Sequence, residues 1–171
     1  MFPLPGDQCP KPDCTVWATA YSALCYLRGL TLGHRVAVAA EEPGPVYVYN
    51  RLRPHESSCT VATRVTDALN LLKNEGTATL ADFPNNPDIC NNPDPQSLVT
   101  GSTDQKLGGW RAIKRENNND WHSPVAVDDI RGALFHQQPV VFTGPRPTIS
   151  PTSNDQRLIP APATKTTTDM P

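Results

Sequence analysis

The apolar positions along the chain fall into a few helical stretches and some short β-like runs. Over residues 14–27, Val16, Trp17, Ala20, Tyr21, Leu24 and Leu27 recur at helical spacing, and Gly29 stands just beyond, where a left-handed C-cap belongs. Pro10 and Pro12 hold the preceding loop extended and bar an earlier start, and Asp13 is the N-cap whose carboxylate accepts from first-turn amides. Residues 63–75 carry the cleanest helical pattern. Val65, Ala68, Leu69, Leu71 and Leu72 make one face, and Gly76 terminates it. A further helix opens at Ser123 or Pro124 and turns Val127, Ile130, Leu134 and Phe135 toward a core. Residues 139–143 read as a short buried strand by length and β-branching, and residues 105–114, with Leu107, Trp110 and Ile113, as another. Residues 45–52 suit either a strand or a short helix, with proline at the first position and tyrosines two apart. Residues 35–40 suit a short strand or a helical turn.

Composition narrows the class. A chain of 171 residues is long enough for one domain with a real core. A net charge of −2 with no basic run argues against nucleic acid or an anionic membrane as a general partner. No apolar stretch is long enough to span a bilayer, and Met1-Phe2-Pro3-Leu4-Pro5 lacks the basic region and apolar core of a signal peptide. A cytoplasmic location is therefore the default expectation. Residues 144–171 hold six of the nineteen prolines, lack periodicity and read as a disordered or loosely attached Pro/Thr-rich tail.

Five cysteines are present: Cys9, Cys14, Cys25, Cys59 and Cys90. None stands in a Cys-x-x-Cys or Cys/His arrangement, so no zinc and no other cofactor is expected. The odd number leaves at least one thiol unpaired. Cys14, in the first helical turn, occupies a place where free amides and the helix dipole favour a thiolate. The competing reading is a cysteine buried on an ordinary amphipathic helix, and Cys25, among apolar neighbours, fits that reading better. Pairing of Cys9 with Cys14 would silence the nucleophile.

The segment Asp7-Gln8-Cys9-Pro10-Lys11-Pro12-Asp13-Cys14-Thr15-Val16-Trp17-Ala18 resembles the active-site stretch of the bacterial branch of papain-like cysteine peptidases. In that family a glutamine six residues before the nucleophilic cysteine donates to the oxyanion hole. Gln8 and Cys14 have that spacing, so the resemblance implies Cys14 as nucleophile and Gln8 as oxyanion donor. Cys9 and Pro12 stand where the family has glycines. Asp13 replaces its serine, and puts a negative charge beside the thiol. The resemblance runs over residues 3–143. It takes in Tyr47-Val48-Tyr49-Asn50 (implying a helix there), Glu75-Gly76 through Phe83-Pro84, and Pro139-Val140-Val141-Phe142. It implies an α+β, papain-like fold with the helical lobe nearly complete and the β-barrel lobe truncated. The peptidase domain would occupy residues 1–143 and the tail residues 144–171. It also implies a Cys59–Cys90 disulfide, and a bulkier cleft wall at Thr60-Val61-Ala62, where the family is glycine-rich.

A thiol nucleophile needs an oriented base. The family's histidine and asparagine motifs are absent. His34 and His55 belong to the helical lobe, His136 suits a helix-end role, and His122, beside Trp121, is the one replacement base. The sequence therefore implies a cysteine peptidase homologue, acting on a peptide or protein substrate, that is inactive as a single chain unless a partner chain completes the barrel lobe. The alternative is a non-catalytic scaffold, or a fragment of a larger effector.

Overall fold

The structure, a computed structural model, describes residues 2–8, 12–53, 61–85, 105–113 and 124–142. The chain divides into two units, Met1–Val141 and Phe142–Pro171, and Phe142 is the only described residue of the second. The first unit is organised around one continuous helical run over residues 14–32. It begins as α1 (Cys14–Val16), widens into π1 (Trp17–Leu24), and returns to α-geometry in α2 (Cys25–Leu32). A π-helical stretch of eight residues is unusual, because i→i+5 bonding is normally confined to single-turn bulges. Competition for carbonyls in the first turns fits that slip. The Thr19 hydroxyl donates to the Thr15 carbonyl at 2.8 Å, occupying a lone pair that the backbone ladder would otherwise use. The run ends at Gly33, whose φ of 75° is the left-handed conformation that glycine tolerates. Gly29, expected in that role, is instead buried within α2.

Two helices pack on this run. Helix α3 (Pro45–Leu52) starts with proline at its first position, and α4 (Val65–Asn74) ends before Gly76, which has a φ of 88°. Val16, Trp17, Ala20, Tyr21 and Leu24 meet Val46–Tyr49 of α3, Ala68 and Leu72 of α4, and Ala78, Phe83 and Leu107 from the connections. The Tyr47 and Phe83 rings pack edge to face with centroids 5.8 Å apart. Residues 35–44 form no regular element. They are held by backbone bonds to the 78–81 turn (Gly44 N to Ala78 O, Leu80 N to Glu42 O, Ala81 N to Ala39 O) and by one isolated bridge, Pro43 with Thr79. Helix α5 (Pro124–Phe135) follows later in the chain.

The expected α+β, papain-like architecture is overturned. About 47% of the described residues are helical and none lies in a strand or sheet, so there is no β-barrel lobe among them, truncated or otherwise. Residues 105–113 are not a strand. Their backbone runs over the end of α4, where the Leu107 amide donates to the Leu72 carbonyl at 3.0 Å, Lys106 Nζ to the Asn74 carbonyl, and Trp110 Nε1 to Asn70. Those bonds satisfy carbonyls and side chains at the α4 C-terminus that a helix leaves unpaired. Residues 139–142 are not a buried strand either, and Phe142 is 86% exposed. The face expected to bury α5 is also reversed. Val127, Ile130, Leu134 and Phe135 are exposed, whereas the small Ala133 is buried. Thr143 and residues 144–171 lie outside the described residues.

Candidate functional site

Cys14 opens the long helical run, and the residues around it are fixed while its thiol is not. Asp13, Thr15, Val16 and Trp17 are all buried, yet Cys14 is exposed and its thiol is free. Asp13 does not cap in the way expected. Its carboxylate makes no capping bond; Asp13 Oδ2 instead accepts from Trp17 Nε1 at 3.2 Å, while the Asp13 carbonyl accepts from the Val16 and Trp17 amides. Thr15 Oγ1 donates to the Thr63 carbonyl at 2.9 Å and ties the first turn to the approach of α4. The side chains of Asp13, Thr15 and Trp17 therefore hold the turn, and Cys14 between them is left exposed.

The N-terminal residues form a strap along the same helix, antiparallel to it. Phe2 stacks on Tyr26 with ring centroids 4.7 Å apart, and the Leu4 carbonyl accepts from Tyr21 Oη at 2.8 Å. Gly6 lies so close over the Trp17 ring that an added Cβ would sit 2.5 Å from Cζ3. Contacts two residues apart in the strap match positions 26, 21 and 17, so the strap advances toward the first turn. Gln8, half-buried, is its last described residue, two beyond the Trp17 contact. The strap thus heads for the end of the helix where Cys14 stands.

The second described thiol is chemically different. Cys25 is fully buried, and its pKa is pushed up to about 12, first by burial and then by the charge of Glu42, with Arg28 partly opposing. Burial likewise raises the Glu42 carboxyl, and burial with the Glu42 and Cys25 charges raises the Tyr21 hydroxyl. This Tyr21–Cys25–Glu42 group was not legible as a unit, because Glu42 follows a stretch without period.

No base is brought to Cys14 among the described residues, and no side chain there hydrogen-bonds its thiol. His34 follows the far end of the run, roughly 27 Å away along the axis at about 1.5 Å per residue, and pairs with Glu41 at 3.1 Å. His136 is exposed just after α5, against the Phe135 ring. His55, His122, Cys9, Cys59 and Cys90, and with them the expected Cys59–Cys90 bridge, lie outside the described residues. Among the described residues no group of three or more His, Cys, Asp or Glu could hold a metal ion, and no helix is long and apolar enough to cross a membrane.

One feature of the site region escaped the sequence reading. Arg53, at the end of α3, is buried, donates to Tyr49 Oη at 2.9 Å and to the Val61 carbonyl, and lies 5.3 Å over the Tyr49 ring. The i, i+4 spacing of Tyr49 and Arg53 was its available signal. No family model matches the chain, and no curated protein and no solved structure matches it either.

Proposed function

We propose that the chain carries the thiol of a cysteine-nucleophile acyl-transfer hydrolase acting on a peptide or protein amide, and that it does not turn over alone. The observation that supports this reading is the exposure of Cys14 in a first turn whose neighbours are all buried, beside a second thiol, Cys25, withheld by burial. Sulfur attacks the carbonyl carbon, and Gln8 with the Cys14 amide stabilises the oxyanion. The C–N bond then breaks, the amine leaves with a proton, and water cleaves the thioester. The base that accepts the thiol proton and returns it to the amine comes from His122 or a partner chain. Without it the chain stalls as an acyl-enzyme or is not acylated by amides.

The test compares two reactions of one thiol. Acylation by an activated ester passes through an oxyanion, whereas alkylation by iodoacetamide does not. Gln8→Ala should slow Cys14 acylation, followed by intact mass, by about a hundredfold, the effect of removing one oxyanion donor, and leave alkylation unchanged. Cys14→Ser removes both. Equal rates of acylation with and without Gln8 would sink the catalytic reading and leave the scaffold reading in its place.

A further inference from the structure

Helix α5 keeps its apolar side chains at the surface. Among its described side chains, those of residues 127–135, Ala133 alone is buried, while Val127, Ile130, Leu134 and Phe135 are exposed. Val127, Ile130 and Leu134 stand three and four residues apart and line one stripe. Asp128, Arg131 and Phe135, each one residue further on, line its flank with the same spacing. Leu134 is 57% exposed and Phe135 84%. The four side chains together offer on the order of 400 Å² of apolar surface, within the size range of the patches that monomers keep for contacts.

The flank identifies the occupant. Asp128 and Arg131 form an ion pair at 3.2 Å, with side chains 73% and 76% exposed. Their order along the helix is acid then base, so a second α5 running the opposite way presents base then acid. A twofold axis crossing the stripe midway between residues 129 and 130 brings like flank to like flank. It sets Arg131 of each copy level with Asp128 of the other, and Ile130 beside Ile130. Anionic lipid is a poor occupant, because α5 carries Asp128 and Asp129 against one basic residue, Arg131.

We propose that α5 pairs antiparallel with α5 of a second copy of this chain, apolar stripe on apolar stripe, with Asp128 and Arg131 paired across the twofold. The contact is closed, because the same patch serves both copies, and it stops at the dimer. It is also small. A standard interface buries about 800 Å² per partner, about twice what this stripe supplies, so the dimer is weak, with a dissociation constant on the order of 100 μM. The proposal does not rest on the thiol chemistry.

The experiment is sedimentation velocity of the full chain from about 10 μM to about 1 mM, a range that brackets that constant. The expected result is monomer at the low end and dimer at the high end, with no larger species. Leu134→Ser should weaken association more than about tenfold. Gly132→Ala is the control: an added Cβ there meets nothing within 4 Å, and position 132 lies on the opposite side of the helix from the stripe, so association should not change. Arg131→Asp alone sets four carboxylates together across the twofold and should weaken association about fivefold, and Asp128→Arg alone should do the same with four cations. The two changes combined restore the pairing with its signs exchanged and should return the parent's affinity. Circular dichroism checks that each variant is as helical as the parent. Monomer up to about 1 mM would leave the stripe to a different partner and overturn the proposal. Assembly beyond the dimer, unchanged association in Leu134→Ser, or no recovery in the combined charge exchange would each overturn it as well.

Discussion

The strap over the first helix makes a sharp prediction, because one glycine permits it. In Gly6→Ala the new Cβ would lie 2.5 Å from Trp17 Cζ3, 2.9 Å from Cη2 and 3.3 Å from Tyr21 Cε1. The indole cannot turn aside cheaply, being buried and held through Nε1 by Asp13. The strap is the softer side. Two contacts help hold it: the Tyr21 Oη bond to Leu4, worth about 0.5–1.5 kcal/mol, and the Phe2–Tyr26 stack, worth a further ~0.5–1.5 kcal/mol. Gly6→Ala should therefore cost about 1–3 kcal/mol by lifting these two contacts. Urea unfolding followed by helical circular dichroism measures it without relying on the perturbed indole. Tyr21→Phe supplies the decisive comparison. Alone it should cost about 1 kcal/mol, and in the Gly6→Ala background close to nothing, because the bond it removes is already gone. Additivity of the two changes within about 0.3 kcal/mol, or a neutral Gly6→Ala, would refute the reasoning. Since the strap also carries Gln8, Gly6→Ala should slow Cys14 acylation in parallel.

Three further outcomes follow from the core and its buried titratable groups. Leu72→Ala removes a fully buried side chain from the centre of the helix contacts and should cost about 2–5 kcal/mol in the same urea assay. For Cys25, the unfolded thiol loses its proton near 9.0 while the folded one keeps it to about 12, so stability falls as pH rises across that window. Cys25→Ala should flatten the fall. A smaller slope of the same sign should remain from Tyr21, whose pKa is raised from 10.0. Unfolding midpoints taken below and well above pH 9.0 decide this, and an unchanged slope in the variant would contradict it. Glu42, its carboxyl raised by burial, favours the folded state when protonated and opposes it when charged. Glu42→Gln should therefore unfold at higher urea than the parent at neutral pH, and the gain should vanish as pH falls to 4.5 and below.

What the sequence made legible were the elements whose causes are local. The helical spacing from Val16 to Leu24 and the Val65–Leu72 face both report a period that one helix satisfies by itself, and helices stand there. Local signals also misplaced a boundary. Gly29 was expected to stop the helix, but it packs within α2 and Gly33 is the glycine that turns. Residues 45–52 by themselves fitted strand or helix equally, because proline at the first position and tyrosines two apart point in opposite directions. Packing of Val46–Tyr49 against the long helix is what resolves them.

The strands failed for a different reason. β-propensity describes how a side chain fits a pleated, paired surface, and it has no effect without a neighbouring strand. Among the described residues no such neighbour exists, so Val140 and Val141 stay outside any ladder, and Lys106 and Leu107 donate instead to the open carbonyls of Asn74 and Leu72 in α4. The same logic explains the reversed α5. A helical period predicts that some face is buried, not which partner covers it, and here Ala133 is buried while Val127, Ile130 and Leu134 are not. At the site, Cys14 was visible because its placement in the first turn is a one-dimensional fact. The strap was not, although Phe2, Leu4 and Gly6 alternate, because it takes the tilt of the facing helix to turn a period of two into contacts at 26, 21 and 17. Arg53 lies further still from the sequence. Its buried guanidinium donates to Tyr49 Oη one turn back and to the Val61 carbonyl, and the second of these is set by how the chain packs on its return toward α4 rather than by any local motif.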